Sequence, residues 1–301
     1  MTMSKRIIRV KVAKTYEEQL AILRSRGLVV SDEREAIAFL QSINYYRLSA
    51  YHLTLRIPNS EQFNEGTTFA HIRGLYEFDQ RLRALLVGVL ESIEVGFRTR
   101  VAYELAHKYG PLGYKNANHF IDATYHVAFM NALDIAVKRG GELFIKHHDT
   151  KYDGQYPIWV AAELLPFGAV SKLFHIMALE DQWLVASYYD GAHPDFLRTW
   201  IHTAVHLRNI CAHYGRLYNK PLKVTPKLFR RWRTVVRHNS LFAGILVLRE
   251  ICPPEEQWRR FVDGLGELIR EYDSFVDLTK MGFPETWSPL LRTGRLPKYL
   301  V

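Results

Sequence analysis

Six consecutive residues, Arg208-Asn-Ile-Cys-Ala-His213, put a guanidinium, a carboxamide and an imidazole within two helical turns. That set suits metal-independent cleavage of RNA. Attack of a 2′-hydroxyl on its own phosphodiester needs a base for the hydroxyl and an acid for the leaving 5′-oxygen, and histidine serves as either near neutral pH. Arginine stabilises the charge that builds on the phosphate. Asn209 and His213 are i and i+4, so they share a helix face and Asn209 can orient the imidazole. Arg208 and His213 align less well on one helix. This favours a composite site in which two such helices face each other, in a dimer or between two halves of one chain.

An Arg-x4-His pair alone is a weak signal, because composition gives about one by chance in a chain this long and basic. Three occur, Arg47/His52, Arg208/His213 and Arg233/His238, and Arg100/His107 fits a looser spacing. The 208–213 copy is set apart by its asparagine and its surroundings. Between Phe196 and Arg249 there are eleven Lys or Arg and no Asp or Glu, which leaves 29 of the 40 basic residues against all 31 acidic ones elsewhere. The net charge of +9 thus belongs to one segment, and a concentrated positive field fits a polyanion such as nucleic acid. Arg216, Lys220, Lys223, Lys227, Arg230, Arg231 and Arg233 are the candidate RNA contacts. The plainer account of the same charges is a solvated basic face, or pairing with acids elsewhere in the fold.

Other constellations support this site or compete with it. Glu94 and Arg98 have the favourable i,i+4 order for a helix ion pair. Glu163, among Trp159, Leu164 and Phe167, is placed to hold Arg208 or Arg98, since a carboxylate in apolar surroundings needs a partner. His202 and His206 have a metal-compatible spacing, but no third ligand and no HExxH accompany them. A phosphate contact or packing beside the site is the expected role of His206, and neither metal nor cofactor is expected. His147-His148-Asp149 reads as a polar surface patch. Tyr45, Tyr46 and Tyr51 are candidates for stacking on bases, with core packing the commoner fate. Phosphate-loop and GxSxG signatures are absent, so ATP hydrolysis and serine-hydrolase chemistry lack support. Cys211 and Cys252 form neither a disulfide framework nor a CxxC pair.

The elements that must carry these residues read as helices throughout. Thr15 to Glu18 has capping-box spacing for a helix over 15–27 that stops at Gly27, and a second begins at Asp32. Residues 57–68 read as a loop. Leu82, Leu85, Leu86, Val89, Ile93 and Phe97 mark a long helix from Phe69 to Tyr109, with a break left open, and Gly110-Pro111 ends it. Further helices are expected over 120–137, 141–148, 157–178, 196–212, 225–248 and 255–278. The class is all-α, with an N-terminal helical segment over 1–65, for which a helix-turn-helix is one reading, and a helical core over 66–301. No run approaches the roughly 20 apolar residues that span a bilayer, and no signal-peptide core follows the basic start. Phe229-Arg-Arg-Trp-Arg233 is a weak amphipathic candidate for a membrane surface. The expectation is a cytoplasmic protein with no membrane partner.

Several segments, in order, resemble the abortive-infection Abi-like family of AbiD/AbiF type over roughly 15–250. They are Asn44-Tyr-Tyr-Arg-Leu-Ser-Ala-Tyr51, Glu91-Ser-Ile-Glu-Val-Gly-Phe-Arg98, Pro157-Ile-Trp159 with Glu163, Pro166-Phe-Gly-Ala-Val-Ser-Lys172, and Leu207 to Tyr214 continuing to Asn219. The resemblance implies phage-defence or toxin–antitoxin biology. It also implies a HEPN-like helical bundle with an N-terminal hairpin and additional C-terminal helices, and it maps the family motif to Arg208, Asn209 and His213. A homodimer is expected to assemble the paired motif, and a small non-coding RNA or an antitoxin protein to restrain it. The alternative is a non-catalytic RNA-binding module in complex with a small structured RNA. A DNA-binding regulator using the N-terminal helices is the third reading.

Overall fold

The computed structural model describes residues 11–190, 192–252 and 254–293. They form thirteen α-helices joined by turns and short 3-10 segments, and β pairing among them is limited to isolated bridges. The all-α class therefore holds. One of these bridges joins Val29 to Thr68.

Two compact units divide the chain, Met1–Phe78 with Ser274–Val276, and Asp79–Asp273 with Asp277–Val301. In the first, α1 (Tyr16–Ser25) and α2 (Glu33–Ser42) pack as a hairpin. Thr15 and Glu18 close the capping box, and Gly27 turns the chain at φ +85°. Asp32 caps α2 through the Glu35 N–H. A short α3 (Tyr45–Ser49) follows. The first turns of α4 (Phe69–Tyr109) complete this unit's core, with Phe39 edge-on to Phe69 and Tyr76, and Tyr51 edge-on to Tyr76. α4 is unbroken over 41 residues and is shared, 69–78 in the first unit and 79–109 in the second. Gly110, at φ +78°, stops it.

The second unit contains α5 (Ala123–Arg139), α6 (Leu143–Lys151), α7 (Ile158–Leu164), α8 (Phe167–Ile176), α9 (Leu179–Ser187) and α10 (Pro194–Ala212), followed by α11 (Leu241–Ile251), α12 (Glu255–Glu271) and α13 (Trp287–Thr293). α10 packs on α8, α9 and α11. Every residue of α11 from Leu241 to Leu248 is buried, so it is the hydrophobic rod beneath α10.

Three expected helices differ from those observed. The helix expected over 157–178 is two, α7 and α8, because Pro166 pushes Leu165 to an extended conformation at ψ 149°. Residues 225–239 hold only a 3-10 turn at Arg230–Trp232, and the helix starts at Leu241 behind the cap Ser240. The cause lies in α10: Trp200 donates its indole N–H to the Lys227 carbonyl (2.8 Å) and Thr199 accepts the Lys227 N–H (3.0 Å). Backbone groups diverted to a neighbouring helix cannot serve a local one. The helix expected over 255–278 ends at Glu271 with Tyr272 as its C-cap.

Candidate functional site

α10 displays the motif. Pro194 opens the helix at a position where its missing N–H costs nothing. Leu197, Trp200, Ile201, Ala204, Leu207 and Cys211 form its buried face. The opposite stripe, repeating every three or four residues, carries Asp195, Arg198, His202, His206, Asn209 and His213, all exposed or half-buried. Arg208 lies off this stripe, on the flank of the buried face and about 140° around the axis from His213.

Arg208 is held over a cleft of about 790 Å³ between α4, the α7–α8 junction and the end of α10. Its Nε donates to Glu94 Oε2 at 3.1 Å, and its Nη1 lies 3.4 Å from Asn209 Oδ1. Glu94 also takes Arg98, one turn on. Arg98, 6% exposed, donates to the carbonyls of Ala162 and of Leu165 (2.7 Å). Those are C-terminal carbonyls of α7 that Pro166 leaves without helical partners. One half-buried carboxylate thus couples the motif arginine to the α7–α8 break. The i,i+4 pair Glu94/Arg98 is present as expected. Glu163 lines the cleft but is exposed, and no ion pair from it occurs among the described residues. The carboxylate that holds both arginines is Glu94.

His213 is the C-cap of α10, exposed, with its backbone N–H on the Asn209 carbonyl at 3.1 Å. Arg208 and Ala212 line the cleft; His213 and Asn209 do not. The turn that follows is fixed from α4. Asp79, fully buried, accepts the N–H groups of Leu217 (3.0 Å) and Tyr218 (2.6 Å) and pairs with Arg83. Arg83 in turn donates to the Gly215 carbonyl at 3.2 Å. This clasp holds Tyr214 and Asn219 at positive φ, 55° and 46°. Sequence reasoning missed Asp79 and Arg83. Their signal was an acid and a base at i,i+4 within an apolar helical stretch, a spacing usually satisfied at the surface.

The basic segment beyond the turn is an irregular strap. Phe229 and Trp232 anchor it in an aromatic cluster with Phe196 and Trp200. Lys223, Lys227, Arg230, Arg231 and Arg233 are exposed, while Arg216 and Lys220 are half-buried. Arg231 stacks over Phe229 and Trp232, Arg233 donates to the Leu228 carbonyl, and Lys227 pairs with Asp195. His206 is half-buried, and its pKa is lowered by burial first, then by Lys220, His202 and Lys223. The strap therefore brings two lysines close to the α10 stripe.

The Arg47/His52 and Arg100/His107 pairs do not resemble this one. His52 is buried among Tyr45 and Phe63, with its pKa pushed down to about 3 by burial and by Arg56 and Arg26. Arg100 stacks on Tyr189, and His107 lies against the Tyr103 ring. Of the three tyrosines considered for stacking, Tyr51 is core, Tyr45 receives Arg26 on its hydroxyl, and Tyr46 is 85% exposed. Cys211, inside the motif, is buried and its thiol is raised to about 12, so it stays protonated. Among the described residues, no group of three or more His, Cys, Asp or Glu is arranged to hold a metal ion. No helix among them is long and apolar enough to cross a membrane.

A fixed guanidinium over an open cleft, an exposed imidazole one turn on and a basic strap alongside can bind a phosphodiester, and can protonate or deprotonate a group presented to the helix end. A family model described as Abi-like protein matches residues 38–219, which takes in α4, the α7–α8 break and the whole of α10. No curated protein and no solved structure matches the chain.

Proposed function

The chain belongs to the Abi-like protein family, and from that premise we propose that it is an abortive-infection protein of phage defence that binds RNA and cuts it without a metal, through HEPN-like chemistry. The observation that carries this reading is Arg208, fixed by Glu94 at the mouth of an open cleft and followed by His213 at the exposed helix end. Arg208 stabilises the pentacoordinate phosphate, His213 is the general acid or base, and Asn209 orients the two. The expected products are a 2′,3′-cyclic phosphate and a 5′-hydroxyl.

Five residues along one helix separate Arg208 and His213 by well over a quarter turn, so a second copy of the chain is the natural source of the missing half of the site. Val87 and Val95 line the Arg208 cleft, yet are 46% and 51% exposed. A second copy docked over the cleft would cover both side chains. A small non-coding RNA or an antitoxin protein is the expected restraint on such an activity.

The second reading, a non-catalytic module gripping a structured RNA, is favoured by the strap, whose exposed cations lie outside the Arg208 cleft. The two separate on one experiment. Purified protein is incubated with labelled RNA in EDTA, wild type beside His213→Ala. Cleavage by wild type alone, with cyclic-phosphate ends, supports the nuclease. Equal retention of RNA by both proteins, with no cleavage by either, supports the module.

A further inference from the structure

A second cleft, of about 700 Å³, opens between α8 and α10. α8 contributes Lys172 and His175, α10 contributes Asp195, Arg198 and His202, and the strap contributes Lys227. Three permanent cations face one carboxylate. Asp195 pairs with both Arg198 and Lys227, the latter at 3.2 Å, and Lys172 has no carboxylate partner among the described residues. The excess positive charge acts on His175, whose pKa is lowered by burial first and then by Arg198 and His202, against an upward pull from Asp122. Lys172 and Lys227 are exposed and Arg198 is half-buried, so solvent screens their mutual repulsion only in part and the cluster favours an anion among them. The volume lies within the range of about 300–1,000 Å³ typical of small-ligand clefts, and exceeds what a lone phosphate fills.

We propose that this cleft is a phosphate-binding site for a phosphate-bearing ligand, held by Lys172 together with Arg198 and Lys227 once the anion competes with Asp195 for them. The proposal deepens the RNA reading above and, for an RNA ligand, rests on it. His202 and Arg208 are six residues apart on one helix, about 9 Å at the α-helical rise. A strand whose reacting phosphate lies at Arg208 therefore has neighbouring phosphates within reach of this cleft. A free nucleotide presents the same chemistry, so the test has two arms.

The full chain, as wild type, Lys172→Gln/Arg198→Gln and Asp195→Asn, is titrated with a fluorescent single-stranded oligoribonucleotide over a range of KCl, and separately with pyrophosphate by calorimetry. Thermal melts establish that each variant is folded. Losing two phosphate contacts lowers the salt slope of RNA binding by about 1.4. Asp195→Asn acts in the opposite direction, tightening binding about two- to five-fold, because it frees two cations from a surface pair; a purely structural role for Asp195 predicts no tightening. If wild type binds pyrophosphate through these residues but binds no RNA, the cleft stands with a free nucleotide as its ligand and the RNA reading falls. If RNA binds with unchanged affinity and slope in the double variant, and pyrophosphate does not bind wild type, the cleft proposal is overturned and the RNA reading is untouched.

Discussion

Replacing Glu94 with glutamine removes the one negative charge shared by Arg98 and Arg208 while keeping the side chain's size. Arg98 is 6% exposed, so its pair with Glu94 is a buried one, and removing one partner of a buried pair costs about 3–5 kcal/mol. Arg98 keeps its two carbonyl acceptors and glutamine can still accept one hydrogen bond, which brings the expected loss to about 2–3 kcal/mol. The Arg208 side chain is 41% exposed, so its pair adds only about 0.5 kcal/mol. The assay is urea unfolding of Glu94→Gln beside Arg208→Ala, with RNA cleavage measured on both. Glu94→Gln is expected to lose both stability and cleavage, whereas Arg208→Ala loses cleavage with stability changed by less than about 1 kcal/mol. An Arg208→Ala variant as unstable as Glu94→Gln, or a Glu94→Gln variant with an unchanged midpoint, refutes this account of how the arginine is held.

Asp79→Asn should destabilise the larger unit by about 3–5 kcal/mol, since it leaves Arg83 buried without its carboxylate and weakens the bonds to the Leu217 and Tyr218 N–H groups; retention of wild-type stability in chemical denaturation counts against the clasp. The pKa of His52 is depressed to about 3 in the folded state against 6.5 for the free side chain, so the folded form binds fewer protons between these values and stability falls as pH drops through that window. The loss between pH 7 and pH 5 is about 2 kcal/mol, and His52→Phe should flatten the pH dependence of the urea midpoint; an equal dependence in both proteins rejects it. Cys211, buried and protonated, should resist a thiol reagent in the native state and react on unfolding, and rapid native modification at this position would show the α10 face to be open.

Much of this architecture is legible in local sequence. Thr15 and Glu18, Asp32 and Glu35, and Gly110 each set a helix end by chemistry confined to four residues, and each does so here. The pair Glu94/Arg98 is equally local. What local patterns do not carry is the choice among distant partners. Glu163 has the apolar sequence neighbours of a buried acid, but its helix turns it outward, and Glu94 takes Arg98 from one turn away and Arg208 from 114 residues away in the chain. The strap shows the same limit. Residues 225–239 have a helical composition and yet are not helical, because Thr199 and Trp200 claim the backbone of Lys227. Asp79 reads as a surface acid until the turn it binds, beyond Gly215, is folded back on it.

The strap also has a consequence for proteolysis. Its lysines and arginines make it the richest run of trypsin sites in the chain, but it is tied down at intervals, at Gly215–Tyr218 by Asp79 and Arg83, between Leu222 and Asn239 by a backbone bond of 2.7 Å, and at Lys227 by α10. Cutting needs several residues of extended, free backbone, so the stretches between ties set where a protease can enter. The stretch from Arg230 to Arg237 offers four exposed arginines, held between the buried side chains of Trp232 and Val236. A polyanion lying across it covers the very side chains trypsin must engage, which makes the rate of nicking there a direct reporter of whether the basic face is occupied.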